Sequence, residues 1–559
     1  MVKKSLKGEG LKTKGNNNGA ALKLKRQVVR KTETKKQRDS IFEFSPIYDL
    51  LRNFKKAPNQ WTARYIIILS AVILRGVIGL GSFLGEGEKP INGDFEAQRH
   101  WMELTLNIPI SEWYFFDLEY WGLDYPPLTA YHLLLLGKIG SLINPSWFAL
   151  NESRGYEGSD LKTFMRLSSI ASELIIYVPA LLSIISVIGK NLNVGRMDQI
   201  IFSSILFYLP PLSLIDHGHF QYNSVMLGLF LLSFGELVKK NLILASIWFI
   251  LSINFKQMAL YYAPFIFVYI LSNLFERPVS VKYPWTTFNF KNLILISITI
   301  VITQVAVLWP FIMNSPTYED ALIMIRQILF RVFPFQRGLF EDKVGNFWCV
   351  SNLLIKYRDI FSLNQLTKLS LATTLLSLAP PCLMVFYKGL FQKDFNDQKR
   401  LLSLIYGFAA TAWSFYMFSF QVHEKSVLVP LLPSSLLYLL NDKNYVSIIQ
   451  WINNSATFSL YPLLKKDHLI LQYAVSLLLS NWFIGGFNIK ANMLIPSSNI
   501  FWKLIVIGSY ISMLLYHVID IYIPPPSSYP DLWVIVNATI SFSCFGIFWL
   551  WLLYKIYKI

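Results

Sequence analysis

The run IIILSAVILRGVIGLGSF, residues 66–83, and the segment INGDFEAQRHW, residues 91–101, decide how the chain is read. The first has the length and apolarity of a helix crossing a hydrocarbon core roughly 30 Å thick. The second crowds Asp94, Glu96, Arg99 and His100 just past a membrane exit. A loop at that place needs no such cluster to hold a fold, so the cluster is a candidate for chemistry.

Outward from this pair, comparable apolar runs recur through all 559 residues. Hydrophobic residues are 53% of the chain and charged residues 15%, against about a quarter charged in an ordinary soluble domain. A spanning segment must satisfy its backbone hydrogen bonds internally, so the runs predict an all-α polytopic membrane protein of roughly 12–14 helices. Spans are expected at 66–83, 168–189, 199–215, 224–238, twice within 241–272, and at 292–312, 366–387, 401–419 and 426–440. Residues 445–464 read as spanning or interfacial, and 468–486, 501–521 and 531–554 as spans. Two long loops, 84–165 and 313–365, are expected to carry short interfacial helices.

Charge orients these spans. Net charge is +17, and residues 1–56 hold sixteen Lys and Arg against five Asp and Glu. That segment reads as a disordered basic tail on the cytosolic side. The basic links at 190–196, 239–240, 277–291 and 388–400 then fall on the same side by parity. The loops at 84–165, 216–223, 313–365 and 421–425 fall on the other. A catalytic transmembrane module over 57–440 and C-terminal helices over 441–559 complete the expected organisation. Nucleic-acid binding has no matching module. Three scattered cysteines, Cys349, Cys382 and Cys544, give neither a disulfide framework nor a zinc site. Asn151-Glu152-Ser153 is a glycosylation sequon.

Four far-side motifs carry polar groups. Asp94 in GDFEAQRHW reads either as the cap of a short helix or as a base facing a cavity. In YWGLDYPPLTAYH, 120–132, Asp124 precedes Tyr-Pro-Pro, which fixes an extended corner. A carboxylate beside aromatic rings suits a sugar, and the same aromatics suit a headgroup anchor. In DHGHFQYNS, 216–224, Asp216, His217, His219, Gln221 and Asn223 crowd an exit. The His-x-His pair invites a metal, but no second ligand cluster follows, which favours hydrogen bonding to phosphate or sugar oxygens. In RQILFRVFPFQRGLFEDKVGNFWC, 326–349, Arg331 and Arg337 interleave with aromatics and with Glu341 and Asp342. Arginine forks suit phosphate, and an amphipathic interfacial helix is the alternative. VHEKS, 422–426, adds His423 and Lys425 at another exit on that side.

Taken together, GDFEAQRHW, WGLDYPPLTAYH, HGHFQYNSVMLG, RVFPFQRGLFEDKVGNFWC and FQVHEKS resemble the dolichyl-phosphate-glucose-dependent glucosyltransferases of the endoplasmic reticulum. The resemblance runs in order from about 66 to 440. The second-glucose type of that family resembles WTLDYPPFFAYF and HIHFQYNGF and lacks the acidic EDKV segment. Gly122, Leu128, Gly218, Ser224 and the run Glu341–Val344 are instead similar to the first-glucose type. The resemblance implies a GT-C fold, an endoplasmic reticulum membrane and a luminal site. It implies dolichyl-phosphate-glucose as donor, dolichyl-diphosphate-linked Man9GlcNAc2 as acceptor and an α-1,3 product formed with inversion. It maps the catalytic base onto Asp94 and implies no metal or other cofactor. A single displacement needs one base and no protein nucleophile, and cations must hold the donor phosphate. His423, Lys425, Arg331 and Arg337 are the candidates for that. Asp124, Asp216, His217, His219, Gln221, Asn223, Glu341 and Asp342 are grouped as sugar-binding or supporting residues.

Three other readings stand beside this one: the second-glucose enzyme, a transporter or flippase, and a scaffold subunit of a glycosylation complex. Transporters put polar groups at mid-membrane, whereas here they sit at exits. Arg75 and Glu173 are the exceptions, open to packing inside the bundle or to snorkelling.

Overall fold

Every apolar run named above folds as a helix, and no strand occurs among the described residues. The computed structural model describes residues 40–54, 57–88, 93–276, 279, 282–333, 338–340, 342–392, 394–497 and 499–559. Residues 1–39 of the basic tail, Arg337 and Glu341 lie outside the described residues. Among the described residues eight helices are long and apolar enough to cross a membrane, and shorter apolar helices complete a multi-pass bundle.

Seven of the described helices build the N-terminal side of the site. They are α1 Ala57–Gly79, α2 Asp94–Asn107, α3 Pro127–Ile143, α4 Ser159–Asn191, α5 Arg196–Phe220, α6 Asn223–Val238 and α7 Leu242–Phe255. Their starts follow local chemistry. Pro127 opens α3, where a missing N–H costs nothing. Asn241 caps α7 by accepting from the Leu244 amide.

The chain alternates between two ends. At one, Ser40 donates to Asp198 at 2.7 Å and Asn441 donates to the same carboxylate at 3.2 Å. Lys240 pairs with Asp397 at 2.8 Å, and Lys388 donates to the carbonyls of Ile556 and Tyr557. The links at 239–240 and 388–400 and the last residues therefore gather there. At the other end Lys162 pairs with Glu86, Lys425 with Asp94, His219 with Asp467 and Lys343 with Asp531. The parity read from charge matches this partition. The segment left open at 445–464 runs the length of the bundle. It starts beside Asn441 at the first end and reaches Asp467 at the second.

Two local details of the spans matter, and one reading left open is settled. Asp216 to Phe220 is not a loop but a π-helical last turn of α5, and the chain extends only at Gln221. The Asp216 carboxylate closes that turn onto the next helix, accepting from the Asn223 side chain at 2.9 Å and the Ser224 amide at 2.7 Å. The two spans within 241–272 part at Lys256, whose backbone is extended between α7 and a short 3-10 stretch. Arg75 and Glu173 find each other: the guanidinium grips the buried carboxylate through two bonds of 2.5 and 2.7 Å. Pairing with good geometry is what allows charge at such depth.

Candidate active site

Gly93 begins the site. Its φ of 98° is open essentially to glycine alone, and α2 starts at the next residue. Asp94 makes no cap with its side chain. Its carboxylate turns inward, accepting from Lys425 Nζ and, at 2.7 Å, from His219 Nε2. The rest of the acidic cluster behaves differently. Arg99 is fully buried between Glu96, at 2.6 Å, and Glu103, at 2.8 Å, and it also donates to Ser153. His100 pairs with Glu103. That network ties α2 to the loop at 147–155, so Glu96, Arg99 and His100 do hold a fold, contrary to what the sequence alone suggested.

Asp94 opens onto a cavity of about 400 Å³, lined also by Asp124, Lys256, Arg331, His423 and Lys425 and by the rings of Trp101, Trp121, Tyr125, Tyr261 and Phe415. The corner bearing Asp124 is held from three sides. Trp101 Nε1 donates to the Trp121 carbonyl at 2.6 Å, and Tyr114 donates to the Tyr125 carbonyl at 2.7 Å. Arg331 donates to the carbonyls of Gly122 and Leu123 at 2.8 and 3.2 Å. Arg331 reaches the cavity from a helix over Tyr318–Val332, started by a capping box of Thr317 and Asp320.

The remaining sequence candidates sort by what they touch. His423 lines the cavity with its Nδ1 against Asp342, which fixes the imidazole's orientation. Gln221 and Asn223 accept from the ammonium of Lys256 at 3.0 and 2.7 Å, and Asp216 holds Asn223 in turn. His217 faces the bundle, bonded to Glu173 at 2.6 Å, and lies behind the cavity. Two residues that sequence reasoning missed complete the site. Lys256 sits inside an apolar run, with its ammonium 4.6 Å from the centroid of the Tyr125 ring. Asp467, fully buried, bonds His219 Nδ1 at 2.6 Å from the C-terminal part of the chain. A lysine interrupting a spanning run was the one available signal for the first. Nothing local marked the second.

Electrostatics at the cavity are polarised. Burial pushes the Asp94 carboxyl up, but Lys425 and His219 outweigh it and hold the group well below the usual carboxylate range. Burial pushes Lys425 down, yet Asp94 keeps it above its ordinary value. Burial likewise opposes His423 at Asp342, and the result lies below the ordinary carboxylate value. An ionised acid, a firm cation and a clamped imidazole thus share one wall. That wall can take a proton from an incoming alcohol while neutralising an anion.

The model of the ALG6, ALG8 glycosyltransferase family matches residues 67–554. The chain belongs to that family. Its all-helical fold is consistent with the GT-C type. A relative from Saccharomyces cerevisiae, named dolichyl pyrophosphate Man9GlcNAc2 alpha-1,3-glucosyltransferase, is 46% identical over 93% of this chain and 96% of its own length. Relatives of the same name from Gallus gallus and Rattus norvegicus are 41% and 35% identical. They cover 75% and 86% of this chain and 78% and 94% of their own lengths. For a member of the ALG6, ALG8 family, a wall of acid and cations beside aromatic rings is a fitting place for glycosyl transfer.

Proposed function

We propose that the chain transfers glucose from dolichyl-phosphate-glucose to the lipid-linked Man9GlcNAc2 oligosaccharide in α-1,3 linkage, by inverting single displacement. The relatives' names support the acceptor and the linkage, and the sequence resemblance supports the donor. The observation that carries the chemistry is Asp94 in one cavity with Lys425, His423 and Asp124.

Asp94 takes the proton of the acceptor hydroxyl as that oxygen bonds to glucose C1 and the bond from C1 to the phosphate oxygen breaks. Dolichyl phosphate leaves as an anion and needs no general acid. Lys425 and His423 hold its phosphate, with Arg331 on the same wall, where fixed cations stabilise the charge that develops; Arg337 is assigned the same role from the sequence resemblance. In the free chain Lys425 pairs with Asp94. The incoming phosphate competes for Lys425, which strengthens Asp94 as a base when donor is present. Asp124 accepts from sugar hydroxyls, and Trp121 and Tyr125 cover the sugar's C–H faces. Asp342 acts from the loop beside His423, and Glu341 is grouped with it from the sequence resemblance alone. No metal or other cofactor is assigned a part, because side-chain cations neutralise the leaving group.

The bilayer keeps both lipid carriers in one plane, which favours encounter and restricts orientation. The cavity end belongs to the endoplasmic reticulum lumen in this reading and the basic tail to the cytosol, as the gathering of basic links at the opposite end supports. The test is transfer by the purified chain in detergent, with dolichyl-phosphate-glucose and either the unglucosylated or the monoglucosylated lipid-linked acceptor. Glucose added to the first only is expected. Preference for the second makes this the second-glucose activity, and no transfer to either contradicts the proposal.

A further inference from the structure

We infer that Asp467 is a positioning residue for transfer, holding the imidazole of His219 against Asp94. His219 lies between two carboxylates: Nε2 is 2.7 Å from Asp94 and Nδ1 is 2.6 Å from Asp467. A ring that donates to both carboxylates carries a proton on each nitrogen and is an imidazolium. A neutral ring would set a lone pair against one of the two acids. Asp216 and His217 of the same turn are engaged elsewhere, with Ser224 and Glu173.

Asp467 is built into this place. Its carbonyl accepts from Ser82 at 2.5 Å, and Leu469, two residues on, is fully buried against the turn that carries His219. A Cβ at Gly218 would stand 2.9 Å from Leu469 Cδ1, so the Leu469 side chain packs directly on the bare backbone of the turn that carries His219. The consequence appears when Lys425 leaves Asp94 for the donor phosphate, a step that rests on the proposed function. Asp94 then keeps one cationic donor, and that donor stays aimed only while Asp467 holds the far nitrogen.

A double-mutant cycle in the purified full chain tests this, because residues that act through one another are not additive. Asp467→Asn is expected to lower kcat about 10-fold or more, with the roughly 10²–10⁴-fold worth of the acid–base group itself as the upper bound, and with donor KM within about threefold of wild type. In a His219→Gln background the same change is expected to cost less than about threefold. An equal loss in both backgrounds, unchanged kcat, or an effect confined to KM overturns the inference. Should Asp467→Asn fail to fold, Asp467→Glu is measured in both backgrounds. A kcat loss that vanishes with His219→Gln supports the inference, and one that persists, or no loss at all, overturns it. Asp94→Asn is the separate control: near-normal transfer by that variant defeats the base reading, whatever the cycle shows.

Discussion

Two cations meet one carboxylate at Asp94, and that contact sets what the residue does before substrate arrives. Burial favours the neutral acid, but Lys425 and His219 win and keep it ionised far into acid. A depressed value means that the ionised form is lost only as pH falls through that low value. Lys425→Gln removes one of the two opposing charges, so the carboxyl rises and the acid limb of kcat/KM for the donor moves to higher pH. Donor KM rises in the same variant. An acid limb at the wild-type position would mean that Lys425 does not act on Asp94. At this scale the sequence marked Asp94, Asp124, His423 and Lys425, because polar groups at membrane exits stand out from apolar runs. Asp467 was illegible, since its partner His219 lies 248 residues away.

Among the elements, the site depends on where helices break. Gly93, the extended Gln221 and the extended Lys256 each interrupt the backbone beside the cavity. Gly93→Ala places a Cβ 2.8 Å from that of Leu84 in a backbone conformation closed to alanine. Such strain costs about 1–3 kcal/mol, and its relief rotates the start of α2. A lower melting temperature and a fall in kcat are expected together, measured by thermal unfolding and by transfer. Unchanged kcat would show that Asp94 does not depend on this turn. Hydropathy gave the helices because spanning length and apolarity are properties of a local window. It missed the π turn at Ile215–Phe220, because Asp216 closes it through partners on the following helix.

At the scale of the whole molecule, charge partition and pairing make one bundle with chemistry at one end. The parity of basic links was legible because the positive-inside rule counts residues without needing their partners. The pairing of Arg75 with Glu173 was not, since it joins α1 to α4 across 98 positions. Arg75→Met leaves the buried Glu173 carboxylate with His217 as its remaining partner, for which the expected loss is at most about 3–5 kcal/mol, read as a lower midpoint in thermal unfolding in detergent. An unchanged midpoint would show that the pair does not hold these helices. The most direct measurement is single-turnover glucose transfer by folded Asp94→Asn protein with saturating donor and Man9GlcNAc2 acceptor. Loss of roughly 10²–10⁴ in rate with donor still bound is predicted, and transfer at close to the wild-type rate would contradict a catalytic aspartate at this wall.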